Sequence, residues 1–186
     1  MKFKIYKALF LTGLLLETIG QVMLYQGSAL FYKPIDFAHW SLLLGVVLII
    51  PQVISFPDKP FSYFGIPLVI IGIVSIIGMC VIDFTLWSYQ SDAQARSVFF
   101  QHISKASLVW KPFMKIGPPF LNVGLLLLSF NYLKESKLGI ALVVLATIFT
   151  QTSIPVNMIA LYGITLIGYL IIFSKPSKNL FNEDSK

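Results

Sequence analysis

The most informative polar residue of the sequence is a carboxylic acid inside an apolar stretch. Glu17 interrupts a run of apolar residues that starts at Ala8 and resumes through Leu24. Gly13 and Gln21 lie four residues to either side of it, so all three share one face of a helix. Placing a carboxyl group in such apolar surroundings costs free energy, so the group usually has a polar partner or a function. We therefore expect Glu17 and Gln21 to face the interior of a helical bundle.

A second acid, Asp83, follows a stretch without any charge, residues 64–82. In a bundle whose first helix starts on the inner side of the membrane, Asp83 and Gln21 would both lie in the outer half. The amide side chains of Asn122 and Gln151, on later helices, would lie at a comparable depth. The sequence predicts a polar ligand-binding pocket there, lined by Glu17, Gln21, Asp83, Asn122 and Gln151. The alternative is that these groups only hydrogen-bond between helices, and that Asp83 simply reaches the membrane interface.

Several kinds of catalytic and metal chemistry have no counterpart in the sequence. It contains no Gly-rich phosphate loop, no G-x-S-x-G elbow and no H-E-x-x-H motif. His39 and His102 are the only histidines; we expect both in or beside loops, as interfacial side chains rather than ligands. The single cysteine, Cys80, is expected to fill apolar space. We predict no metal site, no cofactor and no catalytic residues.

The elements that position these residues follow from composition. Of the 186 residues, 56% are hydrophobic and 12% are charged, about half the charge of a soluble domain. Since about 20 apolar residues cross a bilayer, the pattern predicts an all-α integral membrane protein. Residues 1–174 would form one transmembrane domain and residues 175–186 a polar tail. The predicted spans are approximately 6–27, 40–56, 64–89, 116–133, 138–151 and 156–173.

The only long connection, Ser91–Lys115, lies between the third and fourth predicted spans. Its apolar residues recur at steps of three and four, which predicts an amphipathic helix over about 92–111 that Pro112 ends. A basic helix with an aromatic face typically lies in the membrane interface. The alternative is a lid over the polar pocket, formed by Phe99, Ile103 and Trp110.

Basic residues near the ends of the spans predict the orientation. Nine of the fourteen would lie on the inner side if the chain starts there, so we expect both termini in the cytoplasm, with the protein in a bacterial inner membrane. The first apolar run resembles a signal peptide, but Glu17 interrupts it and no small-x-small cleavage site follows, so we interpret it as an uncleaved span. The net charge of +6 is scattered along the chain, so we predict contact with lipid head groups and no nucleic acid.

Three functions remain open at this point. The first is a membrane protein that binds or transports a small apolar or amphipathic ligand, or a lipid, through the polar pocket. The second is a non-catalytic subunit or scaffold that associates with another membrane protein or with further copies of itself. The third, which we consider less favourable, is an intramembrane enzyme that uses Glu17 and Asp83 as an acid–base pair.

Overall fold

Apolar periodicity and the scarcity of charge produce helices throughout the part of the chain that the structure describes. The computed structural model describes residues 2–26, 36–149 and 157–175, and these residues form helices and short turns without any β-strand. The helices are α1 (Lys2–Tyr25), α2 (Phe37–Val53), α3 (Pro60–Ser88), α4 (Ala93–Lys105), α5 (Ser107–Trp110), α6 (Gly117–Ser129), α7 (Lys137–Phe149) and α8 (Asn157–Ser174). A π-helical segment, Lys111–Ile116, joins α5 to α6, and a 3-10 turn, Phe130–Tyr132, ends α6.

Three continuous helices are long and apolar enough to cross a membrane. They are Lys4–Tyr25, Pro60–Ser88 and Ser107–Tyr132. Phe37–Val53, Lys137–Phe149 and Met158–Ser174 are also apolar, but each is shorter than 18 residues. The residues that the structure describes are therefore all-helical and include three helices that could cross a membrane, which confirms the prediction at this coarser level.

The six longest apolar helices form a closed ring. Each of α1, α2, α3, α6, α7 and α8 packs on the next in that order, and α8 returns to α1. The most extensive contacts join α1 to α2, α3 to α6, and α7 to α8. The ring is thus made of three tightly packed pairs. The consecutive helices α2 and α3 also pack on each other, but each packs more extensively on another partner.

Glycine determines how closely each pair packs. The two helices of each pair cross at a point where a glycine of one helix contacts a glycine of the other. These contacts are Gly13 with Gly45, Gly65 with Gly124, and Gly139 with Gly168. At the last crossing, a Cβ on Gly139 would lie 2.7 Å from the carbonyl oxygen of Gly168, and the reverse distance is 2.8 Å. No larger residue fits without moving the helices apart, which is the usual role of small residues between membrane helices.

Aromatic side chains fill one end of the ring, where α1 begins and α8 ends. The rings of this aromatic cluster contact one another edge to face or at a tilt: Phe10, Phe56, Tyr132, Tyr169 and Phe173. The Tyr169 hydroxyl donates a 2.6 Å hydrogen bond to the carbonyl oxygen of Leu125, so the one polar group of this buried ring is satisfied. The five rings are thus packed against one another at this end of the ring of helices.

The connection between α3 and α6 differs from the prediction. The helix that starts near residue 92 ends at Lys105, because Ala106 leaves the helical conformation (φ −75°, ψ 82°). The chain then becomes helical again at Ser107 and continues through Pro112, which was wrongly expected to end a helix. The wider π turn accommodates the proline, and the Gly117 N–H bonds five residues back to the Pro112 carbonyl. The fourth apolar helix therefore begins at Ser107 rather than near residue 116.

Candidate functional site

A cavity of about 380 Å³ occupies the ring at the end opposite the aromatic cluster. Every helix of the ring contributes to its wall, and so does the π segment. The apolar part of the wall includes three methionines. Its residues are Leu24, Leu42, Ile76, Met79, Met114, Pro118, Pro119, Val123 and Met158. The polar part comprises Glu17, Gln21, His39, Asn122, Thr147 and Tyr162. A few polar groups in an apolar wall of this size are typical of small-molecule sites.

Glu17 is the most deeply buried acid of the cavity wall, with 1% of its surface exposed. Its Oε1 atom has no hydrogen-bond partner. The carboxyl group packs against α2, where a Cβ on Gly45 would lie 2.7 Å from this oxygen. The crossing of Gly13 and Gly45 thus brings the two helices together and leaves room for the carboxyl one turn further along α1.

Amide and hydroxyl groups lie around Glu17 on neighbouring helices. Gln21 follows on the same face of α1, one turn nearer the end of the helix. Across the cavity, the Asn122 side chain on α6 hydrogen-bonds the Tyr162 hydroxyl on α8. Two of the predicted pocket amides, Gln21 and Asn122, therefore lie on the wall of the same cavity as Glu17.

Asp83 has a different position from the one predicted. It does not line the cavity but binds a residue that does: its Oδ2 lies 3.1 Å from Nε2 of His39. The other ring nitrogen of His39, Nδ1, lies 2.6 Å from Oδ2 of Asp36. Both carboxylates are acceptors when ionised, so a histidine that donates from both nitrogens to them is an imidazolium.

Sequence reasoning missed His39, which was expected as an interfacial residue in or beside a loop. The helix α2 begins at Phe37, three residues earlier than predicted. His39 therefore lies in its first turn, with a side chain only 12% exposed. Asp36 is the N-cap residue, and its Oδ1 accepts a 3.1 Å hydrogen bond from the His39 backbone N–H. The spacing Asp36-x-x-His39 before an apolar run is the signal that could have located it.

The other predicted site residues that the structure describes do not line this cavity. Gln151 lies outside the described residues. Of the predicted lid, Phe99 packs on Tyr89 with ring centroids 5.7 Å apart, and Trp110 packs on Phe100 at 5.6 Å. Neither these two nor Ile103 contributes to the wall, and α4 has no buried residue. In their place, the π segment and the start of α6 bring Met114, Pro118 and Pro119 to the cavity.

No metal centre accompanies the site in the described ranges 2–26, 36–149 and 157–175, where no group of three or more His, Cys, Asp or Glu residues is arranged to hold an ion. Comparison of the whole chain with protein-family models, with curated proteins and with solved structures finds no match.

Proposed function

We propose that this protein binds a small amphipathic ligand in the central cavity of a six-helix membrane domain, and holds it or carries it across the membrane. The observation that carries the proposal is Glu17: it is 1% exposed, it lines the cavity, and Oε1 has no partner. An unsatisfied buried oxygen costs about 1–3 kcal/mol. A ligand that donates a hydrogen bond to this carboxyl group would recover that cost.

All six ring helices cross the membrane in this proposal, including the three shorter ones. At 1.5 Å per residue, the 17 residues of α2 reach about 26 Å, close to the thickness of a hydrocarbon core. An even number of crossings puts both ends of the chain on one side. The Lys59 ammonium donates to the Asn131 carbonyl at 3.1 Å, which groups it with Lys134 and Lys137 at the end where α1 begins. By the positive-inside rule, that end faces the cytoplasm of a bacterial inner membrane.

The segment that comprises α4 and the first turns of the fourth crossing, which begins at Ser107, would lie at the membrane surface. Large apolar side chains are exposed along it, with Val98 62% and Leu108 90% exposed. Lys105 and Lys111 are exposed in the same segment. Apolar side chains among cations favour an interface with anionic lipids.

The two alternative functions have less support. A scaffold would use its buried polar groups as bonds between helices, whereas Glu17 is directed to the cavity wall without such a bond at Oε1. An acid–base pair would need Glu17 beside Asp83, but Asp83 is bound to His39. We therefore favour ligand binding over both.

Val123→Phe tests the proposal because it adds a ring to the cavity wall. Val81→Phe is the matched control: Val81 lies on α3, 55% exposed, and is not part of the wall. Native mass spectrometry of protein purified in mild detergent should find a defined small molecule on wild type and Val81→Phe, and at least tenfold less on Val123→Phe. If all three proteins carry the same molecules in the same amounts, ligand binding in this cavity is refuted.

A further inference from the structure

The charged groups around the cavity are mostly acidic. Glu17 and His39 are the ionisable residues of its wall apart from Tyr162, and neither lysine nor arginine lines it in the described part of the chain. His39 carries the only cationic group there, and its ring is held between Asp36 and Asp83. Together with Glu17 on the wall, the two aspartates bound to His39 bring the carboxyl groups in and around the cavity to three, against one imidazolium. The electrostatic potential of the cavity therefore favours a cation over an anion.

The hydrogen-bonding groups of the wall favour the same kind of ligand. Glu17 provides carboxyl oxygens, and Gln21 and Asn122 each provide an amide oxygen. Each amide also carries an NH2 group that can donate, so the carboxyl oxygens of Glu17 decide the preference: an ammonium group, which donates up to three hydrogen bonds and accepts none, matches them. A carboxylate or phosphate ligand would instead present acceptor oxygens to the acceptor oxygens of Glu17, which is unfavourable.

The apolar part of the wall limits the rest of the ligand. Three methionines, Met79, Met114 and Met158, lie on it, and methionine adapts to apolar groups of different shapes. A water molecule takes up about 30 Å³ in the liquid, so 380 Å³ corresponds to roughly a dozen non-hydrogen atoms. The cavity fits a short apolar body with one polar end.

We propose that the ligand of the cavity is a lipophilic amine of roughly a dozen non-hydrogen atoms, with its ammonium group at Glu17 and its apolar body against the methionines. This inference rests on the proposed function and narrows it from amphipathic molecules in general to cations. The ammonium would donate to the carboxyl group of Glu17 on the cavity wall. The apolar body would displace water from the methionine side of the cavity.

The test compares three probes of nearly equal shape: 4-phenylbutylamine, 4-phenylbutanol and 4-phenylbutyrate. Binding to the full chain in lipid nanodiscs is measured by isothermal titration calorimetry, with empty nanodiscs to subtract partitioning into lipid. We expect wild type to bind the amine at least tenfold more tightly than the alcohol, and the carboxylate most weakly. Glu17→Gln should abolish the tenfold preference for the amine.

Glu135→Gln is the matched control, because Glu135 also has an unpartnered carboxyl oxygen but lies in the turn before α7, at the other end of the ring. It should keep the wild-type preference. Equal binding of amine and alcohol by wild type refutes the amine inference and leaves the ligand-binding proposal standing. Absence of binding by all three probes refutes both. If Glu17→Gln does not fold, the comparison of probes on wild type decides by itself.

Discussion

Substituting Gly168 by alanine should destabilise the protein, whereas the same change at Gly163, five residues earlier on α8, should not. A Cβ on Gly168 would lie 2.8 Å from the carbonyl oxygen of Gly139 and 2.8 Å from a methyl carbon of Val143. A Cβ on Gly163 would meet only a methyl carbon of Thr18, at 3.8 Å. The two positions share one helix and one chemical change, and they differ in the space available.

The magnitude follows from these distances. Ordinary contact begins at 3.4 Å, so α7 and α8 must separate by about 0.6 Å to admit the methyl group at Gly168. Overpacking of this kind costs about 1–3 kcal/mol, and replacing a helical glycine by alanine returns about 0.5–1 kcal/mol. We therefore expect Gly168→Ala to destabilise by about 0.5–2 kcal/mol and Gly163→Ala to stabilise by about 0.5–1 kcal/mol.

The assay is reversible unfolding of each variant in mixed micelles of mild detergent and dodecyl sulfate, followed by circular dichroism. The free energy of unfolding of each variant is compared with that of wild type. The difference between the two variants isolates the steric contribution, because the change in helix propensity is common to both. Equal shifts of the same sign would show that close contact between Gly139 and Gly168 does not hold this pair together.

Two further predictions concern charged side chains. His39→Gln should lower the free energy of unfolding by about 3 kcal/mol, because Asp36 and Asp83 lose the cation between them. Adding Asp83→Asn should restore part of this free energy in the same unfolding assay. Strictly additive losses would contradict the ion pair. Replacing Lys105 and Lys111 together by glutamine should remove about 2 kcal/mol of attraction to anionic lipid, at roughly 1 kcal/mol for each lysine. Native mass spectrometry should then detect no preference for phosphatidylglycerol over phosphatidylcholine, and an unchanged preference would contradict the surface position of this segment.

Composition and helical periodicity were enough to predict an all-helical protein with helices suited to a membrane. The same periodicity places Gln21 on the face of Glu17, since four residues make about one turn. Pairing of the helices was harder to predict. A glycine such as Gly45 has the same appearance in the sequence whether it contacts another helix closely or faces lipid. Its role depends on which helix crosses it, and that is a property of the whole ring.

The errors near the site have local physical causes. A proline normally ends a helix. At Pro112, a π turn accommodates the proline ring and the missing N–H group. The formation of this turn depends on packing against α3. There the Phe113 ring covers Gly78. The role of His39 depended on the exact start of α2, and helix ends are the least certain part of any pattern. A shift of three residues moved His39 from the expected position in or beside a loop into a partly buried ion pair with Asp83.

The aromatic cluster has a consequence for how a solute could pass through this molecule. The cavity and the cluster lie in series along the axis of the ring, and the rings are in contact, with Phe10 and Tyr169 only 4.7 Å apart between centroids. A molecule in the cavity is therefore sealed from the end where α1 begins. In the conformation described, the contacts between these rings close the side of the cavity that faces the cluster. Release to the other side would require these close-packed rings to change rotamers together, and the Tyr169 hydroxyl to give up its bond to Leu125.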